Sequence, residues 1–312
     1  MKKLSSLLVA LIFSPVLFAQ SGLQLLQIAP TPQELSRSEA SVATPNGSAS
    51  IYSNPALLAL SEHTTIGLGY TNWISDSNNL FGGINFKKSN RAVAFSFYTS
   101  GVSGLEQRDG PGESNGSFDI QYLSISGAYA YDFKLLAVGV SAHYLNEEIF
   151  PYRATGYAFN AGIASSFLDE KLRVGASIQN IGEMEELNEV STELPTSFTI
   201  GFSADVLEFS HYKKPDLPIS ITVMADFVSP IETNDRDSFT DYNPEENFFN
   251  FGVGFVVAEV VEINGGYKTG DNTRPYSFGL GLITDKVTFN YALIPFNTGF
   301  GTVHSIGIQY QL

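Results

Sequence analysis

Few side chains in this sequence are spaced for chemistry. The four histidines, His63, His143, His211 and His304, lie far apart, without the short i, i+3 to i+5 separations that converge on a metal. There is no cysteine, so zinc–thiolate centres, thiol nucleophiles and disulfide frameworks are excluded. Serine is common, but none sits in a Gly-x-Ser-x-Gly elbow between a strand and a helix. Two acidic clusters, Glu183/Glu185/Glu186/Glu189/Glu193 and Asp235/Asp237/Asp241/Glu245/Glu246, carry the oxygen ligands that hard divalent cations take. Neither has the Gly and final Glu of a twelve-residue calcium loop, and they read as solvated loops. The expectation is a chain that is no enzyme, with no catalytic residue, no cofactor and no bound metal.

The polar residues that do form a pattern are Arg173, Gln179, Asp205, Asp226, Glu262 and Lys268, each on the polar phase of an alternating segment. Leu172, Val174, Ala176 and Ile178 alternate with Arg173, Gly175, Ser177 and Gln179, and Val261, Ile263, Gly265 and Tyr267 alternate with Glu262, Asn264, Gly266 and Lys268. This period of two marks strands with one apolar face. The other face is Gly, Ser, Asn, Thr or an isolated charge, which suits the wet or plugged interior of a barrel better than the Lys- and Glu-rich outside of a soluble sandwich.

The alternation predicts fourteen strands, at 64–73, 79–87, 91–99, 118–131, 134–145, 154–167, 171–180, 196–206, 218–228, 247–257, 260–269, 275–284, 286–293 and 303–312. Segments of about ten residues match the length of a tilted transmembrane strand. Short links follow the even-numbered strands and longer ones the odd-numbered, the asymmetry of bacterial barrels with periplasmic turns and outer loops. The link at 207–217 is long where a turn is expected. Tyr70, Trp73, Tyr98, Tyr131, Tyr267 and Tyr291 fall near strand ends, where amphipathic rings settle at the headgroups.

Residues 1–19 read as a signal peptide: Met1-Lys2-Lys3, an apolar run to Phe18, then Ala19 before Gln20. No later stretch has the roughly 20 apolar residues of a transmembrane helix, although only 16% of residues are charged against about 25% in soluble domains. A closed barrel is the remaining way to cross a bilayer. The net charge of −15 argues against nucleic acid as a partner. The chain thus divides into a leader at 1–19, a segment at 20–62 and a barrel at 63–312 in the bacterial outer membrane, with its lipid as a partner. The segment 20–62 lacks alternation and holds Pro30, Pro32, Pro45 and Pro55. It is a lumen plug or a periplasmic leader, and its many Leu and Ile residues favour the plug.

Three blocks resemble the PorV/PorQ family of outer-membrane proteins. They are Gly47-Ser48-Ala49-Ser50-Ile51-Tyr52-Ser53-Asn54-Pro55-Ala56-Leu57-Leu58-Ala59; Leu172 to Gly182 with Leu194-Pro195 and Gly201; and Gly279-Leu280-Gly281-Leu282 with Asn290-Tyr291-Ala292, Gly299 and His304. The resemblance implies a fourteen-stranded FadL-like barrel with an N-terminal hatch built around Asn54, Pro55 and Ala56. It also implies a part in the type IX secretion system, in protein secretion or surface attachment, with secretion components or secreted cargo proteins as partners. The alternative that the architecture leaves open is a FadL-like channel for small hydrophobic compounds.

Overall fold

The computed structural model describes residues 23–108, 114–187, 190–191, 193–211, 214–231 and 247–312. The signal peptide expected at 1–19, Glu189 and the acidic cluster at 235–246 lie outside the described residues.

Fourteen antiparallel strands form the wall: β1 (Thr65–Asn72), β2 (Asn78–Lys88), β3 (Arg91–Gln107), β4 (Gly116–Asp132), β5 (Ala137–Ile149), β6 (Tyr152–Phe167) and β7 (Leu172–Met184). They continue as β8 (Ser197–His211), β9 (Lys214–Pro230), β10 (Phe248–Val257), β11 (Val261–Lys268), β12 (Tyr276–Ile283), β13 (Val287–Pro295) and β14 (Thr302–Gln311). Every strand pairs with its neighbours in sequence, and β1 closes on β14 with Ile66 opposite Tyr310 and Asn72 opposite His304. Closure is what lipid demands, because an unpaired strand edge has no water to bond.

The alternation read from the sequence is the radial direction of each side chain. On β12, Tyr276, Phe278, Leu280 and Leu282 are about half exposed on the outer surface, while Ser277, Gly279 and Gly281 face inward and are buried. On β6, Tyr157, Phe159 and Ile163 face outward, and Ala158, Asn160 and Ala164 face inward. An apolar exterior around a polar interior is that of a membrane barrel, and the protein is an outer-membrane barrel.

The fourteen expected strands are all present, and the differences lie at their ends. The expected links at 100–117 and 207–217 are largely strand: β3 and β4 continue beyond the wall as a ribbon, and so do β8 and β9, whose ladder reaches His211 opposite Lys214. Past the wall no lipid face imposes an apolar phase, and the alternation left there is brief, Leu207 and Phe209 against Glu208 and Ser210, too short to mark a strand by itself. The apparent exception at 207–217 is therefore paired strand at 207–211 and 214–217. A two-residue ladder, Glu186–Leu187 with Val190–Ser191, decorates the outer link between β7 and β8.

Residues 23–62 provide no barrel strand. Their short 3-10 and α turns, among them an α turn at Pro32–Leu35 and a 3-10 turn at Pro55–Leu60, lie inside the ring. Leu23 packs on Leu145, Ala154, Met184 and Leu194 toward the long-loop end, and Ala56 and Leu57 pack on Ala137 and Ala164 toward the short-turn end. The segment therefore runs the length of the lumen, and Leu23, Ile51, Leu57 and Leu58 are wholly buried there. The hydrophobic core of this protein is the contact between plug and wall.

The two faces of the wall predict opposite tolerances. Leu280→Arg, in the middle of an outward face, should destabilise the barrel by roughly 2–4 kcal/mol in urea titrations in lipid vesicles. A loss below about 0.5 kcal/mol would mean that Leu280 does not face lipid.

Candidate functional site

The Asn54-Pro55-Ala56 block folds the plug against β5, β6 and β7. Asn54 is fully buried and caps the 3-10 turn Pro55–Leu60 by accepting from the Ala56 N–H at 3.1 Å. Its amide donates to the Val42 carbonyl at 2.8 Å and to the Ile163 carbonyl of β6 at 3.0 Å, tying two passes of the plug to the wall. The wall is notched to receive it: a Cβ at Gly162 would overlap Asn54 Oδ1, and one at Gly139, its partner across the ladder, would overlap the Pro55 backbone. The residues of the block suit the plug's fit, whatever the barrel carries.

Opposite, the wall's charges meet the plug's backbone. Asp226 of β9 accepts from the backbone N–H groups of Ser41 and Val42 at 2.7 and 2.9 Å. Arg37 of the plug is ion-paired with Glu262 of β11 and donates to Asn264 at 3.1 Å. Lys268 of β11 and Arg274 of the following outer loop both grip Glu39, at 3.1 and 3.2 Å. Lys268 also lies 4.5 Å from the Phe248 ring, and Arg274 pairs with Asp271 at 3.5 Å. Glu39 lies at the outer rim, on the plug; burial alone would raise its carboxyl, but the Arg274 and Lys268 charges outweigh it and hold it at about 2.

Of the six polar residues read as lumen-facing, Asp226, Glu262 and Lys268 thus engage the plug directly. Gln179 donates to the plug's Ser53 carbonyl and to Ser177 Oγ. Arg173 sits near the turns and pairs with Glu170 at 3.3 Å without reaching the plug. Asp205 is exposed at the short-turn rim, where the ladder slips between Asp205 and Leu207, and it accepts from Thr222 Oγ1 at 2.6 Å; it lies below the plugged part of the lumen. The plug's own partners, Arg37 and Glu39, were not among the expected residues, because a segment without periodicity gives no phase to read.

Between plug and wall lies a cavity of about 560 Å³ toward the long-loop end. Glu34, Glu39 and Ser53 of the plug line it, with Asp226, Asn250 and Lys268 of the wall. The last three form a row across adjacent strands, Asp226 opposite Asn250 and Asn250 opposite Lys268. The cavity also reaches the long-loop end of the β7–β8 ladder, which closes on Gln179 opposite Ser197. At Asn180 the backbone turns left-handed (φ 58°), and the β6 register slips between Phe159 and Ala161. Beyond Gln179, β7 runs past the start of β8 and is tied to the preceding link by Asn180, whose amide donates to the Pro195 carbonyl at 3.1 Å and whose carbonyl accepts from Thr196 Oγ1 at 2.9 Å.

Among the described side chains, no histidine lines this cavity. His143 is buried with Ser126 Oγ 2.7 Å from Nδ1 and Ser141 Oγ 2.9 Å from Nε2, and Ser126 also donates to Tyr52 Oη of the plug at 3.1 Å. Hydroxyls occupy both ring nitrogens, so the group lacks the carboxylate that orients a catalytic His, and it serves as another plug contact. His304 meets Tyr291 Oη at 2.7 Å on the outer surface, and His63 is exposed.

No protein-family model matches the sequence, and no curated protein matches it. Solved structures do match in fold. The CymD monoaromatic hydrocarbon channel superposes with a TM-score of 0.61 at 13% identity, over 92% of this chain and 98% of that one. The Pseudomonas putida toluene transporter TodX gives 0.54 at 11% identity, over 89% and 98%. A Pseudomonas aeruginosa FadL homologue gives 0.53 at 10% identity, over 90% and 98%. The fold is therefore FadL-like, as the resemblance implied, while membership of the PorV/PorQ family gains no support from these comparisons.

The Glu39 cluster predicts how the plug responds to acid. A carboxyl lowered from 4.5 to about 2 stabilises the seated plug fully above pH 4.5 and loses that contribution as the pH falls through about 2. Limited proteolysis of the purified barrel should show the plug becoming cleavable over that window. Glu39→Gln should be cleaved comparably already at neutral pH; equal protection of variant and parent throughout would dismiss the cluster as a latch.

Proposed function

We propose that this protein is a non-enzymatic outer-membrane channel that passes small molecules around a seated plug. The observation that carries the reading is the cavity held between plug and wall, reaching the long-loop end of the β7–β8 ladder. Its volume lies within the range of small-ligand sites, about 300–1,000 Å³, and is far too small for a folded protein cargo. The solved barrels of the same fold include a monoaromatic hydrocarbon channel and a toluene transporter, which supports conduction of small compounds. The secretion reading rests on the three sequence blocks, two of which have a local explanation here: Asn54-Pro55-Ala56 fits the plug, and Asn180 ties β7 to the link before β8.

Reconstitution into liposomes tests the channel. The intact protein should pass solutes of up to a few hundred daltons while holding a low ion conductance, and deletion of residues 20–60 should open a steady ion-conducting pore. If no small solute crosses, and a strain lacking the gene instead loses surface-attached proteins, the channel reading fails and protein secretion replaces it.

A further inference from the structure

Three links at the long-loop end hold to one another and to the plug: 73–77 between β1 and β2, 269–275 between β11 and β12, and 296–301 between β13 and β14. The Asn297 N–H donates to the Thr273 carbonyl at 2.7 Å and its side-chain amide to the Asn272 carbonyl at 3.3 Å, which joins the second link to the third. The Trp73 ring meets Phe296 edge to face, with centroids 5.9 Å apart, which joins the first to the third. Beneath them, Trp73, Ile74 and Phe296 pack on a cluster in which Leu35 of the plug meets Ala292, Ile294 and Val303 of the wall.

Arg274 is where this group meets a charge of the plug. Its guanidinium lies 5.2 Å from the Trp73 ring centroid, pairs with Asp271 at 3.5 Å and reaches Glu39 at 3.2 Å. Asp271 in turn accepts from the Thr273 and Arg274 N–H groups, both at 2.9 Å, so the guanidinium is fixed to its own loop. Lifting that loop carries Arg274 away and leaves Glu39, its side chain 13% exposed, with Lys268 as its remaining cation among the described residues. A buried carboxylate that loses one of two charge partners is destabilised where it sits. Such a coupling acts equally in both directions.

We propose that the three links form one lid, and that Arg274 joins it to the plug, so that the lid cannot lift without loosening the plug and the plug cannot leave without freeing the lid. Apolar packing under the lid can slide over the plug, whereas a charged hydrogen bond fixes one pair of groups to each other. The joint requires no ligand, and it stands whether or not the barrel conducts.

Two reporters read the two directions. Trp73 is the only tryptophan of the chain, so quenching of its fluorescence by acrylamide follows the lid without background. Hydrogen exchange in the fragment 36–43, which includes the Ser41 and Val42 N–H groups held by Asp226, follows the plug away from the lid. In the purified full-length barrel, Asn272→Cys and Asn297→Cys are joined by a short bismaleimide, with folding verified by heat-dependent gel mobility. Exchange in that fragment should then slow at least about fivefold, the lower end for coupled sites. Adding Arg274→Gln should abolish the slowing; adding Lys268→Gln, which weakens the Glu39 seat from the wall instead, should leave it. In the reverse direction, Glu39→Gln should raise the quenching of Trp73. A bridge that does not form on the folded barrel, that leaves plug exchange unchanged, or that slows it equally in the Arg274→Gln variant overturns the proposal, as does unchanged quenching in Glu39→Gln.

Discussion

An irregular chain buried inside a transmembrane ring must have its backbone groups bonded by something other than bulk water. The plug of this barrel makes too few bonds within itself to meet that requirement, since its turns are only three to six residues long. The wall supplies the remainder. Asp226 takes two consecutive N–H groups, Ser277 Oγ takes the Ser38 N–H at 2.9 Å, and Ser141 and Asn160 both donate to the Ile51 carbonyl. The small polar residues on the inward phase of the strands are therefore the hydrogen-bonding complement of one particular plug path. The inward glycines are its steric complement: at Gly266 and Gly279 a Cβ would collide with Arg37, Ser38 or Ser36.

This division explains what could be read in advance. Wherever a strand is wetted by lipid on one side, the outward residues must be apolar, and the alternation gives the strand, its facing and the inward direction of Asp226, Glu262 and Lys268. The ribbons beyond the wall have no such constraint, so β3, β4, β8 and β9 read as shorter than they are. The plug is a harder case still. Its hydrophobic content shows that it must be buried, and Asn54-Pro55-Ala56 marks one turn of it. Arg37 and Glu39, however, find partners more than 220 residues away in the chain, and no local pattern encodes such pairings. Asp205 shares the phase of the lumen residues but sits where the lumen has ended, because phase reports the direction of a side chain and not its depth.

The same contacts set the conditions for passage. A plug latched by Arg37–Glu262 and by Lys268 and Arg274 on Glu39 leaves a cavity that runs from this latch, since Glu39, Lys268 and Arg274 line it, past Asp226 and Asn250 to Asn180. Those ion pairs hold the β11–β12 side, whereas the β6–β7 side is held by neutral hydrogen bonds from Asn160, Ser177 and Gln179. Buried charge pairs are costly to break singly, so displacement of the plug is easier on the neutral side.

The central claim is that residues 23–60 are seated in the lumen against this wall. Since the chain has no cysteine, an introduced pair reads it without background. Ser38 Oγ and Ser277 Oγ lie 2.9 Å apart. With Ser38→Cys and Ser277→Cys together, oxidation in intact outer membranes should yield the crosslink in most molecules, seen as a single joined fragment after cleavage between plug and barrel. Failure to crosslink, while a cysteine pair placed across adjacent wall strands forms normally, would contradict the seated plug.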